Sequence, residues 1–179
     1  DLKLENVMLT PGGRAKIMDF GVVRDSSRHD EYQGLVVWTP PYIPPEVSLG
    51  RPADGRSDLY TLGVMLYTLA CGAYPFRAKS PKEYAELHLK AVPLDPVTLK
   101  PEMGEELAAV IRKLLERTRP NRYAPVDEFL KHFDHCRRGT APEAIRSTGR
   151  KIRCDFCESV MPATAKKCTV CGGAYPVCQ

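Results

Sequence analysis

No stretch of this chain approaches the ~18–20 consecutive apolar residues that a membrane-spanning helix needs. The most apolar segment, Leu59 to Ala73, is too short and reads as a buried helix. Aromatic residues are scarce in the C-terminal tail, where only Phe156 and Tyr175 occur between 136 and 179. A base-stacking platform for nucleic acid is therefore missing where the chain is most basic. Composition carries no bias towards disorder or a collagen-like repeat: 43% of residues are hydrophobic and 27% charged, values ordinary for a globular protein.

The net charge of +4 is unevenly spread. Residues 136–179 hold eight Lys/Arg against three Asp/Glu, whereas 1–135 hold 18 against 19. The basic character belongs to the tail, and nucleic acid or acidic lipid is considered only there. Four of the seven cysteines fall in two C-x-x-C pairs. That usage points to thiolate metal binding in a reducing compartment rather than to disulfides, so a cytoplasmic setting is expected.

The first 21 residues carry the chemistry. Asp1, Lys3 and Asn6 stand within six residues, and Asp19-Phe20-Gly21 follows a short apolar ribbon. Val7, Met8 and Leu9 read as a strand, Pro11-Gly12-Gly13-Arg14 as a turn, and Ala15 to Met18 as the return strand. A hairpin brings Asn6 and Asp19 to one end of the ribbon. Paired hard oxygen donors there suit Mg²⁺, which takes carboxylates together with substrate phosphates. A carboxylate and an ammonium just upstream suit phosphoryl transfer, one orienting a hydroxyl and the other neutralising phosphate charge.

The ordered set D-L-K-L-E-N and D-F-G resembles the catalytic and metal-binding loops of eukaryotic-type (Hanks-type) serine/threonine protein kinases. The resemblance covers residues 1–136 and implies the kinase large lobe, mainly α with a short β-hairpin. It implies Asp1 as the catalytic base, Lys3 on the γ-phosphate of ATP, Asn6 and Asp19 as Mg²⁺ ligands, and Met8 at the floor of the adenine pocket. Lysine at the third position is similar to serine/threonine rather than tyrosine kinases. Because Asp1 is already a proposed catalytic group, the chain is read as a fragment without its nucleotide-clamping lobe, inactive alone.

Residues 22–37 read as a long polar loop, the activation segment under this resemblance. It closes at Thr39-Pro-Pro-Tyr-Ile-Pro-Pro-Glu46, which resembles T-P-x-Y-x-x-P-E. Thr39 is then expected to bridge Asp1 and Lys3. Trp38 stands where the family usually has Gly, either beside the substrate groove or packed against the lobe. No Ser or Thr occurs from 28 to 38, leaving Ser26, Ser27 and Tyr32 as modification candidates.

Arg56 to Tyr67 is apolar on all sides after an N-cap-like Ser57 or Asp58, and reads as a helix through the domain centre. By resemblance Asp58 bonds the catalytic-loop backbone; the alternative is that it caps this helix. Cys71-Gly72 ends the helix, and Cys71 reads as a core thiol. Ser80-Pro81 opens a further helix, and Leu107, Val110, Ile111, Leu114 and Leu115 form a helical stripe. By resemblance Arg122 ion-pairs with Glu46. The last helix is expected from Ala124 to Cys136, and His132, His135 and Cys136 on it are read as amphipathic-helix residues rather than ligands.

A basic linker over 137–150 precedes Cys154-Asp-Phe-Cys157 and Cys168-Thr-Val-Cys171-Gly-Gly. Four soft thiolates at this spacing suit a closed, structural Zn²⁺ tetrahedron, and 151–179 resembles a small β-hairpin zinc ribbon of bacterial multidomain proteins. So short a segment would owe most of its stability to the metal, ~10–16 kcal/mol for such sites. Cys178 is unassigned. The expected function is a serine/threonine protein kinase using ATP and Mg²⁺ on protein substrates, with the ribbon serving a protein partner. The runner-up is a pseudokinase scaffold that binds through the ribbon.

Overall fold

Short, alternating apolar stretches around a Pro-Gly-Gly turn leave the start of the chain only enough length for a small ribbon. In a computed structural model, residues 1–19, 38–124 and 126–138 are described, with the backbone of 151–153 and 160–162. Expectations placed on Phe20, Gly21, Ser26, Ser27, Tyr32, most of the linker and the cysteines from Cys154 onward lie outside the described residues.

Leu4–Asn6 make one 3-10 turn and lead into β1, Val7–Leu9, which pairs antiparallel with β2, Ala15–Ile17. Val7 lies opposite Ile17, Met8 opposite Lys16 and Leu9 opposite Ala15. The turn closes through Thr10 N donating to Arg14 O and Gly13 N to Thr10 O, both at 2.9 Å. Gly13 sits at φ +76°, where a Cβ would be strained. Met8, Leu9 and Ile17 stay 53%, 72% and 55% exposed and stand apart from the core, whereas Val7 packs against it.

The rest is helical. Pro45–Ser48 form α1, Gly55–Cys71 α2, Pro81–Lys90 α3, Pro96–Leu99 α4, Glu105–Leu114 α5 and Val126–Arg138 α6. Two residues of α6 extend beyond the expected end at Cys136, and its start falls at Val126 rather than Ala124. The α2 cap also differs from expectation: neither Ser57 nor Asp58 is the N-cap. Asp54 is, accepting from Arg56 N at 2.8 Å while Ser57 Oγ accepts from Asp54 N at 3.2 Å. A carboxylate two residues ahead of Arg56 satisfies the first free amide of the helix, which frees Ser57 to turn inward.

Helix α2 buries residues on several sides, from Leu59 and Tyr60 to Tyr67. One face joins Tyr42, Ile111 and Leu115, and another joins Val110, Leu114, Tyr123 and Phe129. Gly63 lets α2 lie on α5: a Cβ there would come within 2.7 Å of Leu114 Cβ. Gly72, at φ 71°, ends the helix. Ser80 caps α3 by accepting from Glu83 N at 3.2 Å. Arg112 ties α5 to the start of α4 by bonding both Asp95 and Glu105.

Lys151–Arg153 (β3) and Val160–Pro162 (β4) pair antiparallel, with Ile152 opposite Met161. Among the described residues no helix is long and apolar enough to cross a membrane.

Candidate active site

The 3-10 turn at Leu4–Asn6 folds the chain start back on itself, and the proline-rich 39–45 segment crosses beside it. Lys3 Nζ donates to Asp1 Oδ2 and, at 3.1 Å, to Thr39 Oγ1. Thr39 Oγ1 donates in turn to Asp1 Oδ1 at 2.8 Å, and Thr39 N donates to the same oxygen at 3.3 Å. The hydroxyl therefore accepts from the ammonium and donates to the carboxylate, which fixes its polarity. Asp1 and Lys3 side chains keep 19% and 22% of their surface, open enough for a ligand to reach. The arrangement leaves spare capacity. An ammonium has three N–H donors and two are used among the described residues; a carboxylate has about four acceptor positions and three are used there.

Asn6 is buried, and its Nδ2 donates to the Asp1 carbonyl at 2.9 Å. Since a carbonyl can only accept, the amide orientation is set, and Oδ1 is the atom left for a ligand. Met18 N donates to Asn6 O at 2.8 Å, which holds the residue before Asp19 against the Asn6 backbone. Asp19 is exposed and takes φ 57°, the one non-glycine residue at positive φ among those described. Such a conformation costs of order 1 kcal/mol or more and clusters at functional sites. A spare amide oxygen and a carboxylate are donors that fit Mg²⁺. Met8, on β1 between them in sequence, is more than half exposed.

A second carboxylate, cation and hydroxyl lie deep in the lobe. Glu46 and Arg122 are each 3% exposed. Arg122 Nη1 and Nη2 donate to Glu46 Oε1 and Oε2, both at 2.8 Å, and Ser57 Oγ donates to Oε1 at 2.6 Å. The remaining guanidinium donors reach the carbonyls of Arg56, Glu116 and Arg117 at 2.6–3.0 Å. The guanidinium also lies 4.7 Å from the Tyr60 ring centroid. Burial pushes the Glu46 carboxyl up, but the bonds and charge of Arg122 and the Ser57 hydroxyl outweigh it, and the net shift is downward. The pair locks the end of the 39–46 segment onto the loop before α6.

A family profile described as Protein kinase domain matches residues 1–133. The chain belongs to the protein kinase family. A probable serine/threonine-protein kinase of Streptomyces coelicolor is 36% identical over 152 residues, 83% of this chain and 23% of that protein. The serine/threonine-protein kinase PksC of the same organism is 38% identical over 144 residues, 79% of this chain and 25% of that protein. The serine/threonine-protein kinase PknB of Mycolicibacterium smegmatis is 33% identical over 147 residues, 80% and 24% of the two chains. The chain thus spans about a quarter of the length of the curated relatives it matches.

In this kinase lobe the Asp58 side chain forms no hydrogen bond with another described residue. Burial raises its carboxyl, and the nearby charge of Asp54 adds to that. Trp38 is half-buried, and its Nε1 is a buried donor without an acceptor among the described residues. His132 Nδ1 lies 3.3 Å from the Tyr123 hydroxyl, and no group of three potential metal ligands forms among the described residues. Burial raises the Cys71 and Cys136 thiols, which disfavours their thiolates.

Sequence reasoning missed two supports of the kinase segment at Thr39. Tyr42, 1% exposed, receives Leu4 N at 3.5 Å and donates to Glu5 Oε2 at 3.4 Å, stitching this segment to the 3-10 turn. His88, fully buried on α3, lies 2.7 Å from the Tyr60 hydroxyl through Nδ1 and 3.1 Å from the Pro41 carbonyl through Nε2. Nε2 must therefore carry the proton and Nδ1 accept from Tyr60, which fixes a neutral tautomer. Burial lowers its pKa to about 4, against a smaller opposite effect of Pro41. The usable signal was His88 at helical spacing from Tyr84, a polar group on an inward face.

Proposed function

We propose that this chain forms the hydroxyl-orienting and metal-binding half of a serine/threonine protein kinase that transfers the γ-phosphoryl group of ATP to protein hydroxyls. The observation that carries the reading is the unsatisfied capacity shared by three adjacent groups: one acceptor position on Asp1, one donor on Lys3 and Oδ1 of Asn6. Asp1 orients the substrate hydroxyl and takes its proton as oxygen attacks phosphorus and the bond to the leaving phosphate breaks. Positioned acid–base groups of this kind are worth ~10²–10⁴ in rate. Thr39 holds the Asp1 carboxylate, and Lys3 turns its remaining donor to the transferred group. Asn6 and Asp19 would hold Mg²⁺, which when bound neutralises phosphate charge. Met8 and the other exposed apolar residues of the ribbon suit contact with adenine and a covering nucleotide lobe.

The 179 residues contain no G-x-G-x-x-G phosphate loop, so they are proposed to be inactive by themselves. The full-length protein should phosphorylate a generic basic protein with Mg²⁺-ATP, and Asp1→Ala should abolish this. Activity that survives Asp1→Ala, or ATP turnover by residues 1–179 alone, contradicts the reading.

For residues 151–179 the proposal is a structural zinc ribbon that engages a protein partner. Its support is the double C-x-x-C spacing, with the first pair in the connection between β3 and β4. Metal analysis should find one Zn²⁺ per chain, lost when Cys154 and Cys168 become Ser. Unchanged zinc content in that variant would sink the assignment.

A further inference from the structure

A second concave site shares no lining residue with the Asp1 centre. It lies between α1, the start of α2, the end of α3 and the 117–120 turn, and holds about 180 Å³. That is below the ~300–1,000 Å³ of sites for drug-sized ligands, but adequate for a phosphate group with one side chain beside it. Arg51, Arg56, Arg117 and Arg119 line it, with Leu49 and Leu89 as apolar walls. The one acid in its lining, Glu46, is already consumed by Arg122 and Ser57. Asp54 nearby is paired with Arg56 and Arg119. With Arg122 included, five guanidinium groups meet two carboxylates, an excess of three positive charges.

Two of these arginines are held in place by part of their fork. Arg117 uses only Nη1, on the Leu89 and Lys90 carbonyls at 3.2 and 3.0 Å. Arg119 likewise uses only Nη1, on Pro52 O and Asp54 Oδ2 at 3.1 and 3.0 Å. Each fork is anchored by one nitrogen and keeps Nη2 unused among the described residues. Anchoring removes most of the rotamer entropy that binding would otherwise cost. Arg51 is exposed, and its side chain has no partner among the described residues.

We propose that this groove docks a phosphorylated polypeptide segment, its phosphate between Arg51, Arg117 and Arg119 and an adjacent apolar side chain against Leu49 and Leu89. Forked guanidinium donors match the oxygens of a phosphate monoester better than a single ammonium does. The apolar walls and small volume favour one phosphate on a peptide over a nucleic-acid strand or membrane surface, both of which present extended rows of phosphates. The docking does not depend on catalysis at Asp1.

The test is fluorescence anisotropy on the full-length protein with a labelled phosphoserine-leucine peptide and its serine and glutamate counterparts. Each charge-assisted bond contributes enough to expect ~10-fold tighter binding of the phosphopeptide than of the serine form, with glutamate between them. Arg51→Glu should lower that affinity ~10-fold or more while Arg51→Lys keeps part of it, and Arg117→Gln should repeat the loss. Asp1→Asn should bind as wild type, and turnover of a short unphosphorylated peptide should be unchanged in Arg51→Glu. Equal affinity of wild type and Arg51→Glu, or absence of a phosphate preference, overturns the proposal. Displacement by anionic lipid vesicles or single-stranded DNA at lower concentrations than by free phosphopeptide overturns it too. Folding of each variant is checked by its melting curve, and Arg117→Gln decides if Arg51→Glu melts early.

Discussion

Two groups in this lobe are built from the same three parts, a carboxylate, a cation and a hydroxyl. Glu46, Arg122 and Ser57 are buried, every guanidinium N–H is used, and both carboxylate oxygens are bonded. Asp1, Lys3 and Thr39 are partly open and, among the described residues, keep one donor and one acceptor free. Saturation makes the first a fastener, because no valence remains for a substrate. Incomplete satisfaction leaves the second able to take up a ligand, as the proposed catalytic role requires. Under the proposed function, the same three kinds of group serve scaffold or catalysis according to burial and spare hydrogen-bonding capacity.

Breaking the buried set should have the largest effect on stability. Arg122→Met strands Glu46 in the interior and is expected to cost ~3–5 kcal/mol in urea unfolding, mostly from the unpaired charge. Next comes the support beneath the open set. His88 is neutral in the folded lobe down to a pKa of about 4, against an ordinary value of 6.5. Between those values the unfolded chain binds a proton that the folded chain refuses. The His88 contribution is complete above pH 6.5 and is lost as pH falls towards 4, by about 3 kcal/mol over the window. Unfolding measured across that window should show a slope that His88→Phe flattens; an unchanged slope would remove His88 from the account. Gly63→Ala forces a Cβ against Leu114 and should cost ~1–3 kcal/mol by thermal melting, with no direct effect on the Asp1 set. Thr39→Val is the smallest: one partly exposed hydroxyl, ~1 kcal/mol or less in stability, yet turnover should fall.

Much of this was legible in the sequence because it depended on local pattern. The strand-turn-strand ribbon follows from alternation around Pro11-Gly12-Gly13, and the α5 stripe from Leu107 to Leu115 gives that helix directly. The ends of α2 divide the lesson. Gly72 signals its own stop through backbone conformation, whereas the start was read at Ser57 or Asp58 because nothing local shows that Ser57 faces Glu46. Once Glu46 claims that hydroxyl, Asp54 becomes the cap. Tyr42 and His88 were missed for a similar reason. Their partners, Leu4 and Glu5 for one and Tyr60 and Pro41 for the other, are 28–47 residues away in sequence and only folding assembles them. The arginine groove is the extreme case: Arg51 and Arg117 have no sequence relation and meet only through α1 and the 117–120 turn.

The most direct test compares Asp1→Asn with wild type in the full-length protein, reading turnover and urea unfolding on the same samples. If the open set is catalytic and the buried set is the fastener, turnover falls ~10²–10⁴-fold while stability shifts by ~1 kcal/mol or less. Wild-type turnover in Asp1→Asn, or a stability loss matching that of Arg122→Met, would contradict the account.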